Sequence, residues 1–100
     1  MNASAPLNLL HLAKAEPGTP NALTHDLSVQ ALAEPMSLEP ADRWLLVLDG
    51  KLIIDLPHGD FRVLGVGDSV QLRAERAVLT PLQAAVFLFT DRVLDRDRSG

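Results

Sequence analysis

Apolar and polar positions come in short bursts along this chain, and the longest burst lies at its centre. Residues 44–68 read WLLVLDGKLIIDLPHGDFRVLGVGD. The apolar runs are closed first by Asp49-Gly50, then by Pro57-His58-Gly59-Asp60, then by Gly65, Gly67 and Asp68. Short apolar runs bounded by turn residues at near-even spacing predict an all-β sandwich or barrel. The pattern places strands over 27–32, 44–48, 51–56, 61–63, 69–72 and 84–90. In the first of these, Leu27, Val29 and Ala31 share one face. Pro35 and Pro40 bracket residues 36–39, so that piece reads as an edge strand or a loop, because proline has no amide proton for a central ladder. Residues 74–77 read as a turn or bulge, and Pro81 interrupts the apolar run over 78–82. The short connections suggest a β-meander.

Residues 44–48 are apolar at every position, so both faces of that strand must be covered. Successive side chains alternate: Trp44, Leu46 and Leu48 lie on one face, Leu45 and Val47 on the other. One face lines the core. The other needs the N-terminal leucines Leu7, Leu9, Leu10 and Leu12, or a second subunit, because an exposed Trp and Leu stripe is a sticky patch. Closed two-fold dimers are the commonest oligomers. The expectation is a homodimer with Trp44, Leu46 and Leu48 at or beside the interface.

Composition narrows the classes. One hundred residues make one domain, with residues 1–6 a loose N-terminus and 92–100 a charged tail. A net charge of −4 argues against a nucleic-acid partner, which normally meets a basic face. No apolar run approaches the ~20 residues of a membrane helix, and no secretory signal is visible. The absence of Cys excludes disulfides and thiolate metal sites and suits a cytoplasmic location. His11, His25 and His58 are far apart in sequence and read as surface or turn residues. No nucleophile elbow, phosphate loop or dinucleotide fingerprint is present, and no catalytic pair can be nominated.

The order of features over about residues 8–90 resembles the small single-domain cupins: Pro40, Asp42, the strand ending at Gly50, the hairpin at 57–60, Leu64 and Gly67-Asp68 all fall into place. The resemblance implies a double-stranded β-helix, or jelly-roll barrel. It also implies where a metal would be held, and there this chain departs. The Glu position is Arg43. The paired His positions fall at Ser37 and Glu39, or at Met36 and Leu38. The late His position is Val78, and the Pro and Gly of the second turn are Arg73 and Glu75. A divalent cation needs several converging N or O ligands, so no metal and no cofactor are expected. In the same register Arg43 points into the barrel mouth. There it would pair with Glu39 or grip a small anionic ligand, for which the planar guanidinium is suited.

The resulting expectation is a metal-free, non-catalytic cupin-like domain with a small-ligand-binding or protein-interaction role. Two other classes compete. One is a cupin enzyme of isomerase or oxygenase type with a displaced metal site. The other is a cyclic-nucleotide-binding-like sensor. Arg76-Ala77 before an apolar strand is similar to that sensor's phosphate motif, but Ser69-Val70-Gln71 replaces its Phe-Gly-Glu triplet.

Overall fold

The computed structural model describes residues 8–90. The loose N-terminus expected over 1–6, Leu7 and the charged tail expected over 92–100 lie outside the described residues. A helix α1 (Leu9–Ala15) leads into strands β1 (Asn21–Thr24), β2 (Leu27–Leu32), β3 (Met36–Asp55), β4 (Phe61–Gly65) and β5 (Ser69–Thr90). All pairings are antiparallel, in the order β1-β2-β5-β3-β4. Among the described residues no helix is long and apolar enough to cross a membrane.

Two very long strands replace four of the expected short ones. β3 runs through Gly50, so Asp49-Gly50 is a bend inside a strand rather than a hairpin turn. Gly50 has φ of 78°, and a Cβ there would collide with the Ala84 carbonyl oxygen. Only glycine combines that conformation with that approach. Pro40 is tolerated because the β3–β5 register shifts between Leu38 and Ala41. β5 runs from Ser69 through the expected bulge region and past Pro81. Ala41 pairs with Glu75 and Arg43 with Leu72, so β5 carries one extra residue there, and Ala74 takes φ of 56°.

These bends fold the ladder over on itself. Leu45 pairs with both Val70 and Phe89, while Leu79 pairs with both Met36 and Ile54. One layer therefore holds segments 69–72, 43–49 and 85–90 beside β2 and β1. The other holds 36–41, 75–81 and 51–55 beside β4. This is the expected all-β jelly roll. It is not a meander, since β2 pairs with the far end of β5, Leu27 facing Thr90.

The space between the layers is filled by Leu45, Val47, Leu52, Ile54, Leu72, Leu79 and Phe87, all fully buried. Each such side chain contributes roughly 1.5–3 kcal/mol. A second cluster lies outside the first layer. There α1 packs Leu9, Leu10, Leu12 and buried Ala13 over Val29, Ala31, Val86 and Leu48. Asn8 caps the helix, its Oδ1 accepting from the His11 amide at 3.0 Å. Lys14 Nζ meets Asp49 Oδ2 at 3.0 Å, tying α1 to the bend of β3. β2 is consequently buried on both faces. Val29 and Ala31 lie under the helix, while Leu32 belongs to the barrel interior, a side that alternation assigns to Gln30 as well.

Candidate functional site

The positions at which cupins hold a metal are set by register, and here the register turns them to hydrocarbon. Ser37 pairs with Val78 and Leu38 with Ala77. Ser37 and Glu39 are exposed and Val78 is half-buried, whereas Leu38, Ala77 and Leu79 are buried in the core, with Met36 packed against it. The inward alternative is thus Met36 and Leu38, and the inward neighbours of Val78 are Ala77 and Leu79. The bulge at Ala74 sets this on β5, and a matching extra residue of β3 between Leu38 and Ala41 sets it on β3, because one extra residue exchanges the faces of everything beyond it in its own strand. Leu45 and Val47 continue the apolar wall on β3. Aliphatic groups offer a cation no lone pair, and one Met thioether is too few ligands. Among the described residues no group of three His, Cys, Asp or Glu side chains could hold a metal. The described residues of this interior wall offer a metal no converging set of ligands. His11, on α1, His25, between β1 and β2, and His58, at the β3–β4 hairpin tip with φ of 70°, are all exposed and separate.

Arg43 is half-buried at one end of the first layer. Its Nη2 donates to the main-chain carbonyl of Glu39 at 3.2 Å, and the Glu39 side chain is exposed. The carboxylate–guanidinium pair expected between them is replaced by a contact with the backbone. A side-chain ion pair does join Lys14 and Asp49. Arg43 lines a cleft of about 390 Å³ with Asp26, Asp42, Trp44, Gln71 and Thr90. The Trp44 amide donates to Thr90 Oγ1 at 2.8 Å, closing the floor. One guanidinium faces two carboxylates here, so an anionic ligand gains from Arg43 and loses to Asp26 and Asp42. Trp44 is 48% exposed on the outer face. Of its two companions, Leu48 is taken up by the α1 cluster, and half-buried Leu46 is outside it. The N-terminal leucines therefore cover one end of that stripe and leave the other.

A second cleft, of about 400 Å³, opens between the α1–β1 connection and the β2–β3 turn. It is lined by Pro17, Gly18, Leu32, Pro35 and Met36, with Gln30 at its base and Glu34 at its rim. Gly18 is pinned there by its amide, which donates to the Ala31 carbonyl at 2.8 Å. Gln30 is 1% exposed. Its Nε2 donates to the Met36 sulfur at 3.3 Å, and its Oε1 is buried with no hydrogen-bond partner. Sequence reasoning passed over Gln30. The signal was available: a polar residue in LSVQAL on a strand covered on both faces has nowhere wet to point.

No family model matches the sequence, and comparison with curated proteins finds no match. Solved structures do match. A cupin-2 domain protein from Shewanella frigidimarina aligns with a TM-score of 0.69 at 14% identity, over 84% of this chain and 91% of that one. A cupin superfamily protein from Desulfitobacterium hafniense gives 0.69 at 17% identity, over 90% and 92%. Hydroquinone 1,2-dioxygenase from a Sphingomonas species, solved with 4-hydroxybenzoate bound, gives 0.72 at 16% identity, over 86% and 73%. This chain therefore has the cupin fold.

Proposed function

We propose that this protein is a metal-free, non-catalytic cupin domain that works by binding a small molecule. The observation that carries the reading is the barrel interior, where Met36, Leu38, Leu45, Ala77 and Leu79 occupy the wall against which a metal would sit. Elemental analysis of untagged protein purified without chelator tests it. Well under one equivalent of transition metal is expected, and a stoichiometric metal held by side chains would overturn the reading. A cupin enzyme is the second reading, supported by the dioxygenase likeness and by no ligand set among the described residues. The cleft at Arg43 favours a neutral or zwitterionic ligand over the small anion that Arg43 alone suggests, because Asp26 and Asp42 share it.

The same reading includes a two-fold homodimer through the end of the Trp44 stripe that α1 leaves open. Nearly half of Trp44 is exposed with Leu46 beside it, and aromatic residues are favoured anchors of interfaces. Sedimentation over a wide concentration range is the test. A dimer that Trp44→Ser with Leu46→Asp converts to folded monomer is expected, and a monomer at every concentration would sink it.

A further inference from the structure

We infer that the cleft over Gln30 is a ligand site of this domain, separate from the Arg43 cleft, and that it takes a neutral, mainly apolar molecule carrying one hydroxyl group. The inference rests on the binding-domain reading above and names its site and ligand class. Gln30 is the reason. A buried amide oxygen without a partner is costly, on the scale of the hydrogen bond it lacks. Its amide nitrogen has only a thioether for company, and sulfur is a weak acceptor. Neither end of this side chain is well satisfied by the protein, and Gln30 lines an open cleft, its Oε1 buried in the cleft wall, where a side-chain rotation would present it to a ligand. The cleft volume is within the range of small-molecule sites, ~300–1,000 Å³.

The walls set the rest of the ligand. Pro17, Leu32, Pro35 and Met36 offer hydrocarbon and a polarizable sulfur, which suit an apolar ring or branched chain. Glu34 at the rim disfavours an anion. A hydroxyl both donates and accepts, so it satisfies the Gln30 amide in either orientation of its oxygen and nitrogen. This is a different place from the Arg43 cleft, which lies between other residues and carries charge of both signs.

Titrations followed by proton–nitrogen correlation spectra test the assignment, with phenol, toluene and benzoate as probes. Phenol should move the Gln30 side-chain amide and the Leu32 and Met36 signals in a saturable, one-site manner. It should bind roughly fivefold or more tightly than toluene, as one hydrogen bond of about 1 kcal/mol requires. Benzoate should leave those signals in place. Gln30→Met should abolish the preference for phenol over toluene. Ala33→Trp, at an exposed position on the cleft wall, should block phenol while leaving the rest of the spectrum unchanged, and it serves if the Gln30 variant does not fold. Equal binding of phenol and toluene to the wild type would overturn the inference. So would benzoate binding there as tightly as phenol, or a Gln30 amide that ignores every probe because an ordered water bridges it. The metal content of the same sample judges the binding-domain reading separately.

Discussion

The two layers of the barrel share their inner faces and differ in their outer ones. The first layer hides Val29, Ala31, Val86 and Leu48 beneath α1. The second has no such cover among the described residues, and it leaves Phe61 55%, Val63 49% and Leu82 52% exposed. The difference begins in the sequence. Residues 27–32 carry no charge and 44–48 are apolar throughout, whereas Lys51 and Asp55 share the outer face of the second layer with Ile53 and break up its stripe. A face without charges requires a lid, and a face with interspersed charges stays in water. The helix is therefore part of the fold of one layer, and the outer surface of the other layer is free to vary.

The largest effect should come where the layers join. Gly50→Ala places a Cβ against the Ala84 carbonyl and forces a positive φ on a side-chain-bearing residue, at a cost of about 3 kcal/mol or more. Denaturant melts would measure it, and a wild-type midpoint would mean that β3 bends elsewhere. Next is the lid. Ala13→Asp puts a carboxylate into the dry seam beneath α1 and should cost roughly 2–3 kcal/mol, with dye binding reporting the newly bared Val29 and Val86. Retention of full stability would show that the first layer does not need its helix. Gln30→Met should raise stability by about 1 kcal/mol, since it removes a buried polar group that the protein leaves half-satisfied. Glu39→Ala should cost under about 1 kcal/mol, and its effect should add independently to that of Arg43→Ala, because their contact runs through the Glu39 backbone. The smallest effect belongs to the uncovered layer. Phe61→Ser with Val63→Thr should change stability by no more than about 0.5 kcal/mol and leave the sedimentation coefficient alone. A loss of dimer in this variant, rather than in the Trp44 variant, would move the interface to the second layer.

Turn chemistry made the strands legible. Gly50, the residues of 57–60 and Gly67-Asp68 all mark changes of direction, and the β3–β4 hairpin has its tip at Pro57–Gly59 as expected. The kind of turn was not legible. A glycine with positive φ serves a hairpin and an in-strand bend equally, and only the closeness of Ala84 to Gly50 decides between them. The inward set beyond residue 74 was hidden for a related reason. A single extra residue at Ala74 is invisible in the sequence, yet it turns Val78 away from the interior and Ala77 and Leu79 toward it. Leu9, Leu10 and Leu12 were legible as a flap and not as a helix, although Asn8 three residues before His11 is a cap signal. Arg43 drew attention as a charge in an unusual place. Gln30 did not, because its significance depends on α1 closing the opposite face of β2.

Because β3 and β5 each pass from one layer into the other, neither layer owns a complete set of strands. A chain built this way has no half that can come apart while the other stays. Amide protons on 43–48 and on 51–55 should exchange with solvent through the same rare global opening, at the same free energy. α1 is attached differently, through its leucines, its cap and one exposed ion pair, and it should open at far lower energy. The pairing of Leu27 with Thr90 joins nearly opposite ends of the described chain. Folding must close that loop to seat β2 beside β5, and with the distant β3–β5 pairings this places the barrel among the slow folders, on the scale of ~milliseconds to seconds.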